Sequence, residues 1–312
     1  MPSNEIRIGT APNLAYAPQY VAASRGYFRD AGLDVSIVDA PPGSGEVVGD
    51  VIDGKITLVL GSVLFAHRMA MLTGGNARIV AAANTNSRHV LMARRGEFDT
   101  GLSWAALGGR VVNIAPTFVP TSWFAFREGL RRHGLTLEDV PTLVGFQAQH
   151  VVEEFLQGAG DLLFIGGEEG QHPHLHRVAT MAEGFGPTPW SVYCSSSEWA
   201  EAHGAELQAF RAALTRGMDF VFERDLDEVV AQLRPDFPHL DDQRIGDTVV
   251  GYREIPFWAR DAEVDLTALR EWQDALIRWG MLAGGTDLVS LATGHGAAGS
   301  QRSDPSGEER KR

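Results

Sequence analysis

YVAASRGYFRDAGLDV (20–35) is the stretch whose reading decides the fold. A helix over about 17–24 puts Tyr20, Val21, Ser24 and Phe28 on one side at helical spacing. Gly26 and Gly32 stand at helix-stop positions, where a chain needs backbone freedom to turn. LDVSIVDA (33–40) then alternates Val35 and Ile37 with polar residues, the period of a strand, and IRIGTA (6–11) is a strand ahead of the helix.

The rhythm continues outward. GSGEVVGDVIDG (43–54) opens a helix after a glycine-rich turn, and ITLVLG (56–61) is a third strand. It returns at GRVVNIA (109–115), PTSWFAFREGLRRHGL (120–135), PTLVGF (141–146), HVVEEFLQG (150–158) and DLLFIGG (161–167). In the first of these helices Thr121 or Ser122 is the expected N-cap and Gly134 the C′ residue. Strand–helix alternation of this kind predicts an α/β fold with parallel crossovers. From about 198 the chain is helical, with Leu207, Phe210, Leu214 and Val221 on one face and Leu269, Trp272, Leu276 and Trp279 on another. Two connectors, NTNSRHVLMARR (84–95) and WSVYCSS (190–196), link the α/β units. They predict two lobes with a cleft between them: residues 1–90 plus 194–285 in lobe one, 91–193 in lobe two, and a disordered tail over 286–312.

Composition narrows the function classes. The 312 residues are 44% hydrophobic and 21% charged, ordinary for a globular protein with well-filled cores. A formal charge of −13 argues against nucleic acid or an anionic membrane as partner. The longest apolar run, ITLVLGSVLFA (56–66), is short of the roughly 20 residues that span a bilayer, so no membrane insertion is expected. A single cysteine, Cys194, excludes an internal disulfide framework. MPSNEIRIGT has no charged leader followed by an apolar segment. The expectation is a cytoplasmic protein as the sequence stands, or an extracytoplasmic one if a leader was removed.

YVAASRGYFRDAGLDVSI (20–37) resembles the element that type II periplasmic solute-binding proteins carry after their first strand. The resemblance is to the branch that binds sulfonates, taurine, nitrate-like anions and thiamine pyrimidine precursors. Pro18, the turn of Gly43, Ser44 and Gly45, IDGKITLVLGS (52–62) and LGGRVVNIA (107–115) agree in order. VYCSSSEWAEAHGAELQAFRAALTRGMDFV (192–221) is similar to the family's return strand and long helix, and LREWQDALIRWGML (269–282) to its last helix. Covering nearly residues 5 to 290, the resemblance implies the periplasmic-binding-protein type II fold, closing over a small anionic or aromatic molecule by hinge motion. It implies an ABC permease as partner if the protein is exported, and no cofactor. The same fold hosts pyrimidine-synthesis, desulfinase and decarboxylase-like enzymes, so a cytosolic enzyme acting on a small heteroaromatic or aryl acid is the alternative, and a ligand-controlled regulatory module a third. The enzymes' catalytic sets are not found. Asn13 stands where desulfinases resemble this chain but carry a cysteine, and the synthases' lysine and cysteine cluster are missing.

The candidate ligand-binding residues follow the cleft that the resemblance implies. Asn13 and Tyr16 lie in the loop after the first strand, where Asn13 could equally be a satisfied turn residue. Ser44 (with Gly45), Gly61, Ser62, Thr117, Thr121 and Ser122 mark helix starts, whose backbone N–H groups favour anions, although plain capping is the alternative. Thr85, Asn86 and Arg88 lie in the first connector, with His89 beside them. Arg88 could pair with a ligand carboxylate, bridge the lobes or sit in solvent. Trp190 can stack on an aromatic ligand or belong to the core. His172, His174 and His176 alternate near Glu168 and Glu169 and are weak metal candidates with no fourth ligand in place. Cys194 has no local base and reads as a buried hydrophobe.

Overall fold

The computed structural model describes residues 4–44, 46–114, 121–145, 147–168 and 170–294. Its strands are β1 (Glu5–Thr10), β2 (Asp34–Asp39), β3 (Leu58–Ser62), β4 (Arg78–Ala82), β5 (His89–Arg94), β6 (Val112–Ile114), β7 (Thr142–Val144), β8 (Leu162–Gly166), β9 (Leu175–Thr180) and β10 (Ser191–Ser195). They form two five-stranded sheets, in the orders β2-β1-β3-β10-β4 and β7-β6-β8-β5-β9. The two orders are the same pattern. In each sheet the fourth strand is the one that has crossed from the other lobe, and it runs antiparallel to both neighbours.

That antiparallel strand is the exception among the expected parallel crossovers. The reason is the connector: β4 ends beside the other lobe and the chain crosses directly, with no helix to carry it back. β5 therefore starts at the end where a parallel strand would finish. The crossings also come earlier than the expected boundaries at 90 and 194. His89 already pairs with Gly166 in the second sheet, and Ser191 with Ser62 in the first.

The opening stretch folds as α1 (Ala17–Ser24) and α2 (Tyr27–Asp30), separated by Gly26 at φ 73° and closed by Gly32 at φ 78°. Both angles lie in the left-handed region that a Cβ makes costly. Tyr20, Val21 and Phe28 are buried, but Ser24 is exposed and its hydroxyl donates to the Tyr20 carbonyl at 2.8 Å. Gln19 is buried in its place, accepting from the Tyr193 hydroxyl at 3.1 Å and so tying α1 to β10. Phe28 stacks on Phe210, with ring centroids 5.3 Å apart, which locks α2 to the long helix described next. Burying such a ring is worth about 1.5–3 kcal/mol.

The remaining helices are α3 (Val47–Ile52), α4 (Val63–Thr73), α5 (Thr121–Arg132), α6 (Ala148–Leu156), α7 (Met181–Phe185), α8 (Ser197–Ala202), α9 (Gly204–Glu223), α10 (Leu226–Leu233), α11 (Asp242–Glu254), α12 (Leu266–Arg278) and α13 (Leu288–Thr293). Among the described residues no helix is long and apolar enough to cross a membrane. The first residues of the expected tail over 286–312 are structured. Asp287 caps α13 by accepting from the Ser290 N–H, and Leu288 and Val289 are buried. Residues 295–312 lie outside the described residues.

One apolar cluster joins Val59 and Val63 of the first lobe to Trp104, Phe126 and Phe164 of the second through Trp272 and Leu276 of α12. Another joins Leu14, Ala15 and Tyr20 to Val90, Met92 and Ile165 through Ile245, Val249 and Tyr252 of α11. The lobes are thus packed together on both flanks of the connectors by the C-terminal helices.

Candidate functional site

The ends of β1 and β3, the first connector and the start of β10 meet at Ser191. Its carbonyl accepts from the N–H groups of Ala83 and Asn84, at 3.0 and 3.3 Å. Its hydroxyl lies 3.5 Å from the Tyr16 hydroxyl, and Ser62 is its register partner across the sheet. Tyr16 is held there because Asn13 accepts from the Ala15 N–H at 2.7 Å, closing a 3-10 turn over Leu14–Tyr16. Burial raises the Tyr16 pKa, while the Ser191 hydrogen bond and the Arg88 charge pull it back. Tyr16 is therefore a neutral hydroxyl, able to donate and accept.

Ser62 caps α4, accepting from the Leu64 N–H at 3.2 Å. Gly61 before it is buried, and a Cβ there would lie 2.6 Å from the Pro42 ring, so the glycine lets the Pro41–Ser44 turn sit against β3. Ser44 is exposed in that turn, its N–H given to the Pro41 carbonyl at 2.9 Å. Thr85 receives the Thr188 N–H at 2.6 Å, and Asn86 donates to the Pro256 carbonyl at 2.9 Å. The Asn86 Oδ1 is buried and accepts no hydrogen bond from any described residue. Thr121 is the first residue of α5 rather than its cap, and its hydroxyl is buried with no partner among the described residues. Ser122 is buried beside it. Thr117 and Gly45 lie outside the described residues.

Trp190 is half-buried between Trp272, 5.6 Å away and near-parallel, and His89, 5.9 Å away. His89 also faces Phe164, and its Nδ1 lies 2.9 Å from the Ser87 hydroxyl. Burial, helped by the adjacent Arg88 charge, holds its pKa well below 6.5, so the imidazole is neutral. A depressed histidine pKa means that the unfolded chain takes up the proton first. Stability is expected to be whole above about pH 6.5 and to fall below it by up to about 1.4 kcal/mol per pH unit. The contribution of His89 is the difference between the wild-type and His89→Asn melting curves from pH 7.5 to 5. Parallel curves would refute it.

Arg88 takes the bridging course among its three expected ones. Its guanidinium pairs with the Glu168 carboxylate, which follows β8 in the second lobe. The Tyr252 hydroxyl of α11 donates to the same carboxylate, and Arg244 of α11 donates to the Glu168 carbonyl at 2.6 Å. Burial, and then the Glu168 charge, push the Tyr252 pKa well above its ordinary value. Glu168 and Tyr252 also line a cavity of about 220 Å³, whose apolar wall is Val90, Met92, Val250 and Ile255.

The structure gathers Tyr16, Ser62, Thr85, Arg88 and Trp190, and leaves Ser44 out on a turn. Ser191, Tyr252 and the role of Glu168 were missed from the sequence. The polar start of a return strand was a usable signal for Ser191, whereas Glu168 and Tyr252 lie 80 and 164 residues from Arg88 with no local mark (168 − 88 and 252 − 88). The three histidines do not assemble. His172 accepts from the His174 N–H, while His176 lies in β9 with its Nε2 3.8 Å from Asp99. Among the described residues no three His, Cys, Asp or Glu side chains could hold a metal ion. Cys194 is fully buried, donating to the Val59 carbonyl, and burial drives its thiol pKa far up, so no thiolate forms.

Comparison with known families places this geometry. A family model described as NMT1/THI5 like matches residues 13–225. The chain belongs to the NMT1/THI5-like family. Solved structures share its fold. The periplasmic aliphatic sulphonate binding protein SsuA from Escherichia coli is 16% identical, with 99% of this chain and 97% of that one covered at a TM-score of 0.68. The periplasmic nitrate-binding protein NrtA from Synechocystis PCC 6803 is 15% identical, with 92% and 84% covered at 0.63. The alkanesulfonate-binding protein SsuA from Xanthomonas axonopodis pv. citri, bound to MOPS, is 17% identical, with 92% and 96% covered at 0.58. No curated protein matches the chain. As a member of the NMT1/THI5-like family the chain has the expected two-lobed, type II architecture, with the return strand β10 as the hub of its interlobe junction.

Proposed function

We propose that this protein is a solute-binding protein that closes residues 4–88 plus 191–294 and residues 89–190 over a small anionic or aromatic molecule. The observation that carries this reading is the convergence on Ser191 of Tyr16, Ser62 and the first connector, beside the half-buried Trp190. Neutral hydroxyls that donate or accept, the exposed part of the Trp190 indole and one guanidinium suit a planar or acidic ligand. In this reading the partner is the permease of an ABC importer, met outside the cytoplasmic membrane. The buried, protonated Cys194 supports binding over nucleophilic chemistry.

A thermal-shift panel of alkanesulfonates, nitrate, pyrimidines and aromatic acids tests it. At a ligand concentration of about 100 Kd the stabilisation is about 2.7 kcal/mol, a shift of several degrees. The same ligand is expected to lose at least about tenfold in affinity for Tyr16→Phe or Ser62→Ala. Silence across the whole panel would sink the reading, and unchanged affinity in both variants would move the site elsewhere.

A further inference from the structure

A guanidinium beside the interlobe junction is already engaged by an internal anion. Arg88 lies in the connector, near enough to Tyr16 for its charge to act on that hydroxyl, and the Glu168 carboxylate sits on it. The pair is enclosed: the side chains are 21% and 14% exposed. Glu168 is itself held by the Tyr252 hydroxyl and by Arg244 on its carbonyl. The 220 Å³ cavity lined by Glu168, Gln171 and Arg177 gives its carboxylate room to move off Arg88.

We propose that Glu168 sets the anion selectivity of the interlobe site by competing for the Arg88 guanidinium. A ligand sulfonate, nitrate or carboxylate gains Arg88 by displacing Glu168, while an uncharged ligand meets no such competition. This rests on the ligand site proposed above. Exchanging one carboxylate for another anion on a partly buried guanidinium keeps its charge paired throughout, which makes displacement feasible where simple unpairing would be costly. Because the Tyr252 hydroxyl of α11 holds the same carboxylate, the displacement also loosens that contact between α11 and the second lobe, while Arg244 keeps the Glu168 carbonyl. Ligand charge is thereby read as a change in how the lobes are joined.

The test is calorimetric titration of ethanesulfonate, nitrate and an uncharged pyrimidine into wild type, Glu168→Gln and Tyr252→Phe. Glu168→Gln is expected to bind the two anions at least about tenfold more tightly than wild type, and the pyrimidine within about twofold. Tyr252→Phe, which takes one hydroxyl away from both Glu168 and Arg88 and leaves their charges in place, is expected to shift the anions in the same direction by less. Glu168→Gln removes the carboxylate charge from Arg88, so its melting temperature is expected to fall and to be restored by ethanesulfonate more than in wild type. Adding Arg88→Gln to Glu168→Gln is expected to abolish the gain. Equal anion affinities in wild type and both folded single variants would overturn the proposal while leaving the ligand site intact. Absence of binding by any ligand to any of the proteins would overturn both.

Discussion

Glu128→Ala is expected to lower the unfolding free energy by about 3 kcal/mol, the low end of what breaking a buried ion pair costs. Glu128 lies on α5 with its side chain 1% exposed. It accepts from Arg131 at 2.8 and 2.9 Å, from Arg278 at 2.9 Å and from the Trp279 indole N–H at 3.1 Å. Burial works to raise its pKa, but the Arg131 hydrogen bond, the Arg278 and Arg131 charges and the Trp279 N–H outweigh it and leave the carboxyl below its ordinary value. The low end is chosen because Arg131 and Arg278 are 48% and 42% exposed and regain water when the carboxylate is lost. A carboxyl depressed in the folded state contributes stability above its unfolded pKa and loses it as pH falls through the folded one. Glu128→Gln, which keeps an acceptor but no charge, is expected to lose less. Urea unfolding at pH 7 measures both, and a loss under about 1 kcal/mol for Glu128→Ala would show the cluster to be ornamental.

The position of Glu128 connects this energy to motion. Its partners Arg278 and Trp279 stand at the end of α12, which packs against α5 in the second lobe and against α13, and α13 packs on β4 and α4 of the first. α12 is therefore a strap across the back of the lobes, while α11 with Glu168 is a tie beside the connectors. Any hinge motion has to bend about the strap, since its carboxylate is enclosed. In the Arg88–Glu168 tie the carboxylate is 14% exposed against 1% for Glu128, and it borders a cavity that gives it room to exchange partners.

Much of the scaffold was legible because it is written in local chemistry. Gly26 and Gly32 mark turns that only their backbone freedom satisfies, and Val35 and Ile37 alternate as a strand must. Phe210 and Leu214 show their helical face at spacing. What escaped was what depends on distant partners. The direction of β5 and β10 follows from a crossing between lobes that no residue in either strand records. Ser24 shares a helix face with Tyr20 yet is exposed, its hydroxyl donating to the Tyr20 carbonyl and accepting from Gln232, while Gln19 is buried as the acceptor for Tyr193. At the site, Tyr16, Ser62 and Trp190 were visible as residue types beside expected turns of chain. The state of Arg88 was not, since its alternatives differ only in whether an acid far along the chain reaches it.

Trp258→Ala is expected to cost about 3–5 kcal/mol, and its consequence for binding is the more informative part. Trp258 is 1% exposed, edge-on to Tyr252 at 5.2 Å and to Phe222 at 5.9 Å. Its indole N–H donates to the Ala15 carbonyl at 3.0 Å, and the Asn84 amide donates to the same carbonyl at 3.0 Å. One carbonyl thus fixes the Leu14–Tyr16 turn to the first connector and to the C-terminal helices at once. Removing the ring opens a cavity beneath that turn and frees half of its anchor, so Tyr16 no longer has a set distance to Ser191. Trp258→Phe separates the two effects. It keeps most of the volume and removes the N–H, so stability is expected to fall by only about 1 kcal/mol. Ligand affinity is expected to fall with it, because a loosened turn must be ordered again on binding. Circular dichroism in urea gives the first quantity and calorimetric titration the second. Undiminished affinity in Trp258→Phe would mean that the Asn84 amide alone holds the turn, and that the indole serves the core rather than the site.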